Sequence, residues 1–254
     1  MPMKKTIICM KWGTLYSAGY VNVLYNAVRK NITGDFRFVC ITDDATGIDE
    51  NVDCFPIPDI GLRQKDWYDG AWPKLTVFLP KQFGLEGRCL FIDLDSVILS
   101  SLDDFFHISG KIVAIDLTRF NPKAEKKELL SGVFAFDADS LGHIVETIQR
   151  YRDTVIDKCK LEQSFISDQV PDWVGWPNDW VISFKYALRQ PLILDRIFKP
   201  KLPPASAKII AFHGTPRPID IILPKQGNWD CFPHYGSGIV DWARNYWIQN
   251  GGEI

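Results

Sequence analysis

One stretch restricts the choice of fold more than any other: Cys89-Leu90-Phe91-Ile92-Asp93-Leu94-Asp95-Ser96-Val97-Ile98-Leu99. Four apolar residues run into two carboxylates one residue apart, and a second apolar run follows. A run of this kind reads as a strand buried on both faces of a parallel sheet, because a half-exposed strand would alternate with polar residues. Ligands in such sheets bind beyond the carboxyl ends of the strands, where Asp93 and Asp95 fall. On an extended chain residues i and i+2 share a side, so both carboxylates are expected to point one way. Two like charges brought together repel unless a cation lies between them, which makes a hard divalent metal the economical explanation. A polar turn at a strand end also uses Asp and Ser, but it needs only one of the acids.

The rest of the chain supplies partners for that strand. Thr6–Met10 reads as a short buried strand, Ser17–Lys30 as a helix with Val21, Leu24, Tyr25 and Val28 on one face, and Phe36–Thr42 as a second strand. Strand, helix and strand with short connections predict parallel pairing and a right-handed crossover. The loops after both strands then fall on the edge that carries Asp93 and Asp95. Val52–Pro58 reads as an edge strand because of Pro56 and Pro58. Arg63–Pro73, polar and aromatic, reads as an active-site loop, and Lys74–Phe83 as a helix with Pro80 in its first or last turn. Further on, Leu102–Phe106 suits a helical turn, and Ile112–Leu117 and Gly132–Asp137 suit strands. Arg119–Glu128 reads as a charged helix or loop, and Ser140–Asp157 as an amphipathic helix with Ser140 as its N-cap. Glu162–Gln169 follows. Val181–Tyr186 and Ile193–Phe198 read as strands of a smaller antiparallel part, Ala207–Phe212 as a late strand, and Ile239–Gln249 as a helix that packs on the core.

Composition narrows the class of function. With 254 residues, 46% of them hydrophobic, the chain can bury one large α/β core. A net charge of −2 argues against nucleic acid or an anionic membrane as the main partner. No apolar run reaches the length of a membrane span. The N-terminal residues read as a first strand rather than a signal peptide. Six cysteines are spread without a C-x-x-C pair, and Cys9, Cys40 and Cys89 sit in apolar strand candidates, so a reducing, cytoplasmic setting is expected.

A second cluster of chemistry comes late, at Phe212-His213-Gly214-Thr215-Pro216-Arg217-Pro218. A divalent cation held by Asp93, Asp95 and His213 would bridge phosphate oxygens, and the Arg217 guanidinium would bind them bidentately. Gly214 would let backbone approach the anion closely. The substrate this implies is a diphosphate.

With these motifs the chain resembles GT-A-fold glycosyltransferases, especially family 8 and its relatives. Phe91-Ile92-Asp93-Leu94-Asp95 is similar to the family's D-x-D strand, and Ser131-Gly132-Val133-Phe134-Ala135-Phe136 to its N-S-G-V strand. Ser167-Asp168-Gln169 is similar to its D-Q-D segment, and the His213–Pro218 run to its C-terminal H-F-x-G-x-x-K-P motif, with His213 two residues later than the family's histidine. The resemblance implies an α/β fold: a single GT-A (Rossmann-like) domain over residues 1–254, mostly parallel in its central sheet, flanked by helices, with a small antiparallel part. Residues 1–100 would form the nucleotide-binding half and 101–254 the acceptor-binding half. It implies a metal-dependent, retaining transfer of a sugar from a nucleotide-diphosphate sugar, expected to be a UDP-sugar, to a glycan or other hydroxyl acceptor. Asp93, Asp95 and His213 would hold Mn²⁺ or Mg²⁺. Trp12, Gly13, Thr14, Asp43, Lys74, Asp93, Ser131, Gly132, Gly214 and Arg217 would contact the nucleotide-sugar, and Asp168 and Gln169 would lie at the reacting centre.

Two other readings compete. Asp93-Leu94-Asp95-Ser96-Val97 also fits the nucleophile motif of haloacid dehalogenase-like phosphatases, with Asp93 attacking phosphate, although that motif normally opens its domain. Alternatively, the nine tryptophans would stack on sugar rings in a non-catalytic binding protein.

Overall fold

A computed structural model describes residues 5–119, 127–191, 194–223, 236 and 238–254. Most of the charged Arg119–Glu128 segment lies outside the described residues. In chain order the elements are β1 (Lys5–Lys11), α1 (Ala18–Lys30), β2 (Phe36–Thr42), β3 (Asp53–Phe55), α2 (Pro80–Phe83), β4 (Arg88–Ile92), β5 (Val97–Ile98), β6 (Ile112–Asp116), β7 (Leu129–Asp137), α3 (Gly142–Cys159), α4 (Glu162–Gln169), β8 (Val174–Gly175), β9 (Val181–Ser183), β10 (Ile209–Ala211), α5 (Pro218–Ile222) and α6 (Asp241–Gln249).

The principal sheet has the order β3-β2-β1-β4-β7-β6-β8. β3, β2, β1 and β4 run parallel, as the strand–helix–strand order predicts, and β3 takes the edge. β7 then enters antiparallel between β4 and β6, while β8 is parallel to β6. Side chains alternate between two apolar layers. Ile7, Cys9, Phe38, Leu90 and Ile92 face the layer that holds α1. Ile8, Met10, Val39, Cys89 and Phe91 face the layer that holds residues 72–85 and α3. Burial on both faces is why β1 and β4 carry near-continuous apolar runs.

β5, β10 and β9 form a second, three-stranded sheet. Its β10–β5 pair is antiparallel and its β10–β9 pair parallel, so it is mixed rather than antiparallel as expected. Ile193–Phe198 does not add a strand. The described part makes a 3₁₀ turn at Leu194–Arg196, because the buried Asp195 carboxylate accepts the Gln190 N–H at 2.8 Å and folds the chain back. Val181–Tyr186 is likewise cut short, becoming a π-helical turn from Phe184.

Two other local expectations change for identifiable reasons. Trp72–Phe78 is 3₁₀ and ends before α2, which starts at Pro80, the position where a missing N–H costs nothing. Ser140 does not cap α3: its hydroxyl donates to the Asp137 carbonyl at 2.8 Å within the turn Ala138–Ser140, and the helix begins two residues later.

Trp176 anchors the apolar layer that holds α1. It is fully buried, donates its indole N–H to the Val133 carbonyl at 2.9 Å and meets Phe105 edge-on at 4.8 Å. Trp176→Ala is expected to destabilise the protein by roughly 3–5 kcal/mol, read from the urea unfolding midpoint. An unchanged midpoint would show that this contact is not part of the core.

Candidate functional site

β4 stops at Ile92, and Asp93–Ser96 is a turn closed by the Ser96 N–H on the Asp93 carbonyl at 3.1 Å. Asp93 and Asp95 therefore reach a common cavity through a turn, not through the pleat of an extended strand. The turn is tied to β7 by the Asp93 N–H, which donates to the Gly132 carbonyl at 2.8 Å. Here the loops after β1 and β4, the segment 67–74, the middle of β7, the first turn of α4 and the residues after β10 converge.

The space is one cleft with two compartments that share Tyr68, Ala71, Lys74, Asp93 and Asp95. The first, about 270 Å³, is aromatic, with Trp12, Tyr16, Trp67 and Tyr68 around it. The second, about 450 Å³, is polar, with Ser131, Glu162, Gln163, His213 and Gly214 on its walls. The aromatic compartment is locked from above: the Trp12 indole donates to the Trp67 carbonyl at 2.9 Å. Gly13 (φ +62°) donates its N–H to Asp43 at 2.8 Å, and a Cβ there would lie 3.3 Å from the Tyr68 ring. Gly70 (φ +95°) is equally constrained, since a Cβ would meet the Lys160 carbonyl at 2.5 Å.

Lys74 is the electrostatic centre of the shared wall. It is 4% exposed, yet its ammonium lies 2.9 Å from one Asp93 oxygen and 3.0 Å from the other. It also donates to the Ser131 carbonyl at 3.2 Å and lies 3.7 Å from Glu162. Burial alone would strip its proton, but the charges of Asp93 and Glu162 outweigh that and raise its pKa. Burial raises the carboxyls of Asp93 and Glu162, with Lys74 opposing. Asp95 is raised to about 7 through burial and then the Asp93 charge, although it accepts the Tyr16 hydroxyl at 2.9 Å. His213 is held down to about 4 by burial and then by Lys185 and Lys74.

The donor set on this wall, carboxylate oxygens with the His213 imidazole across the cavity, is of the chemical kind that suits a hard divalent cation. Three carboxylates face a single ammonium there. Among the described residues, however, no three His, Cys, Asp or Glu side chains stand close enough together to hold a metal ion.

The expected site residues separate into groups. Trp12, Lys74, Asp93, Asp95, Ser131, Gly132, His213 and Gly214 all line the cleft. Gly13 and Asp43 bond to each other at its rim, and Thr14 beside them is exposed. Arg217 stands behind Tyr16, its guanidinium carbon 5.7 Å from the ring centroid. Asp168 and Gln169 do not line the cleft. They lie at the far end of α4, where Asp168 pairs with Lys158 at 3.0 Å. The same helix carries a second acid–Gln pair, Glu162-Gln163, and its first turn is the one that faces the cavity. That pair was readable as a repeat of the Asp168-Gln169 dipeptide six residues earlier.

No protein-family model matches the chain, and no curated protein sequence matches it. Solved structures do. The galactosyltransferase LgtC, in complex with donor and acceptor sugar analogs, superposes with a TM-score of 0.61 at 13% identity, over 97% of this chain and 95% of that one. The bifunctional glycosyltransferase WbbM gives 0.60 at 12% identity, and the glycosyltransferase GlyE of Streptococcus pneumoniae TIGR4 gives 0.59 at 12%. This chain spans 50% of WbbM and 62% of GlyE. The fold is that of GT-A glycosyltransferases.

Removing Lys74 would leave the buried Glu162 and the half-buried Asp93 without a counter-charge. Lys74→Met is expected to destabilise the protein by roughly 3 kcal/mol in mildly alkaline buffer. The carboxyl pKa values are already raised in the folded state, so the native form binds more protons than the unfolded one as pH falls. The penalty should therefore shrink on acidification. A pH-independent penalty, measured by denaturant titration across the range, would contradict this account.

Proposed function

We propose that the protein is a metal-dependent glycosyltransferase that takes its sugar from a nucleotide-diphosphate donor, a UDP-sugar by family resemblance, and passes it to a hydroxyl acceptor. The observation that carries this reading is the shared wall: a charged strip of Lys74, Asp93 and Asp95 divides an aromatic compartment from a polar one. A nucleotide-sugar has the same order of parts, with a flat base, a charged diphosphate and a polyhydroxyl ring. The base would stack among Trp12, Trp67 and Tyr68. The sugar would lie against Ser131, Glu162, Gln163 and His213, whose polar atoms match hydroxyls. Asp93 and Asp95, with His213 across the cavity, would hold a divalent cation once the donor itself supplies further oxygens, and the cation would offset the charge of the leaving diphosphate. Tyr16 fixes Asp95, and Lys74 fixes both Asp93 and Glu162.

The reaction breaks the bond from the anomeric carbon to the diphosphate oxygen and forms one to the acceptor oxygen. Retention of configuration comes from the family resemblance, and the carboxylates agree with it: Glu162, the acid beside the sugar, is taken up by the Ser131 hydroxyl and by Lys74. An inverting path needs a base on the face opposite the leaving group. Asp137 is engaged by Arg88, Asp168 by Lys158 and Asp172 by Lys111, and none of the three lines the cleft. The acceptor proton then passes to the departing phosphate oxygen on the same face. The phosphatase reading is not favoured, because its nucleophile motif normally opens the domain whereas β1, α1, β2 and β3 precede Asp93 here, and the solved structures that superpose on the chain are glycosyltransferases. A purely sugar-binding role leaves the buried carboxylates without a purpose.

Two experiments test the proposal. Thermal shift with UDP should show stabilisation that needs Mn²⁺ or Mg²⁺, and Asp95→Asn should abolish it while keeping the fold. Hydrolysis of the UDP-sugar should fall by about 100-fold or more in that variant; release of phosphate from simple esters, with no UDP release, would refute the reading. Glu162→Gln and Asp168→Asn discriminate between the two ends of α4: the first should lower turnover by roughly tenfold or more and the second should leave it nearly unchanged. The opposite ranking would return the reacting centre to Asp168-Gln169.

A further inference from the structure

The small sheet ends against the polar compartment, and its end carries a cation that the cleft has not used. β9 and β10 pair in parallel with Ser183 opposite Ala211. One residue on, Phe184 stacks on Phe212 at 4.7 Å and 14°. The next pair in that order is Lys185 and His213, and His213 lines the compartment. The field at the imidazole agrees with this placement, since the two cations that reach it are Lys185 and Lys74. Lys74 is taken up by Asp93 and Glu162. Lys185 is exposed, and among the described residues its ammonium makes no ion pair and no hydrogen bond; it lies 5.9 Å from the centroid of the Tyr186 ring.

The backbone under Lys185 is anchored on both sides. Ser183 is fully buried, and its hydroxyl accepts the Tyr186 N–H at 3.4 Å. The Arg189 N–H closes the π-helical turn Phe184–Leu188 on the Phe184 carbonyl at 3.1 Å. Such turns are rare and recur at functional sites. The Arg189 side chain is itself held by Asp195 at 2.8 Å. Asp195 is the one acid between Trp180 and Ile219, and it is fully buried, so this stretch of chain offers Lys185 no counter-charge. Lys185 does not line the compartment. A donor sugar seated against Ser131, Glu162, Gln163 and His213 lies inside it, so a molecule that Lys185 meets arrives from solvent. Asp93, Asp95 and Glu162 would repel an anion that approached them. An ammonium at the rim offsets that repulsion and adds an attraction that a neutral molecule cannot use.

We infer that Lys185 selects the acceptor, binding an anionic group, carboxylate or phosphate, on the glycan whose hydroxyl enters the polar compartment beside His213. The inference rests on the transfer reading above and names the class of acceptor, an acidic rather than a neutral sugar.

The test is calorimetric titration of the full chain, saturated with UDP and Mn²⁺, with methyl glucoside, methyl glucuronide and glucose 6-phosphate. At least one acidic sugar is expected to bind about fivefold more tightly than the neutral one, with a difference that shrinks in high salt. Which acidic sugar binds better tells carboxylate from phosphate. Lys185→Gln should remove the preference and Lys185→Arg should keep it, a contrast that a merely structural lysine would not produce. An unchanged melting temperature without ligand shows that both variants are folded. Equal affinity for all three sugars, no binding of the acidic ones, or a preference that survives in Lys185→Gln overturns the inference and leaves the transfer reading intact. Inorganic phosphate that binds as tightly as the acidic sugars assigns an anion site without a sugar and also overturns it. If UDP and Mn²⁺ fail to stabilise the unaltered protein, the transfer reading itself falls.

Discussion

The cleft depends on a single buried ammonium. Lys74 binds the end of β4 through Asp93, the middle of β7 through Ser131 and the start of α4 through Glu162. Those three elements belong to different parts of the chain, and their charged or polar ends would repel or go unsatisfied without it. An isolated lysine at this depth would give up its proton. It keeps the proton because two carboxylates need it, and they tolerate burial because it is there. The site is therefore stable only as a set.

The balance of that set explains why the same wall suits both a cation and a diphosphate. Lys74 compensates one of the carboxylate charges around it, and the surplus shows at Asp95, whose carboxyl is raised to about 7 by burial and the Asp93 charge. A divalent cation held there, as proposed above, would reverse the sign of the strip and turn it toward phosphate. Protein that binds neither is left with carboxylates it would prefer to protonate, so function here is stored as local electrostatic discomfort within a well-packed core.

The parts of the molecule legible in the sequence are those where periodicity and burial agree. β2 runs over Phe36–Thr42 as predicted, α1 follows Ser17, and the Asp93/Asp95 turn lies at the end of a doubly buried strand. Illegible were features set by contacts far along the chain. Nothing local distinguishes Glu162-Gln163 from Asp168-Gln169; only the docking of α4 against β7 decides which pair sees the cavity. Ser140 looked like a cap because its preference for one is strong, but a carbonyl three residues earlier claimed it first. The 194–198 segment has strand-like composition, and a buried Asp195 that pairs with Arg189 overrides it.

The latch between Trp12 and Trp67 also has a bearing on how tightly a flat ring can be held. Because one indole N–H already joins the loop after β1 to the segment opposite, the aromatic slot exists before anything enters it. A guest that slides in does not have to immobilise two loops, so little of its contact energy is lost to ordering them. On the proposed reading, selectivity in that slot would follow from the spacing this bond sets, because admitting a thicker guest would mean breaking it.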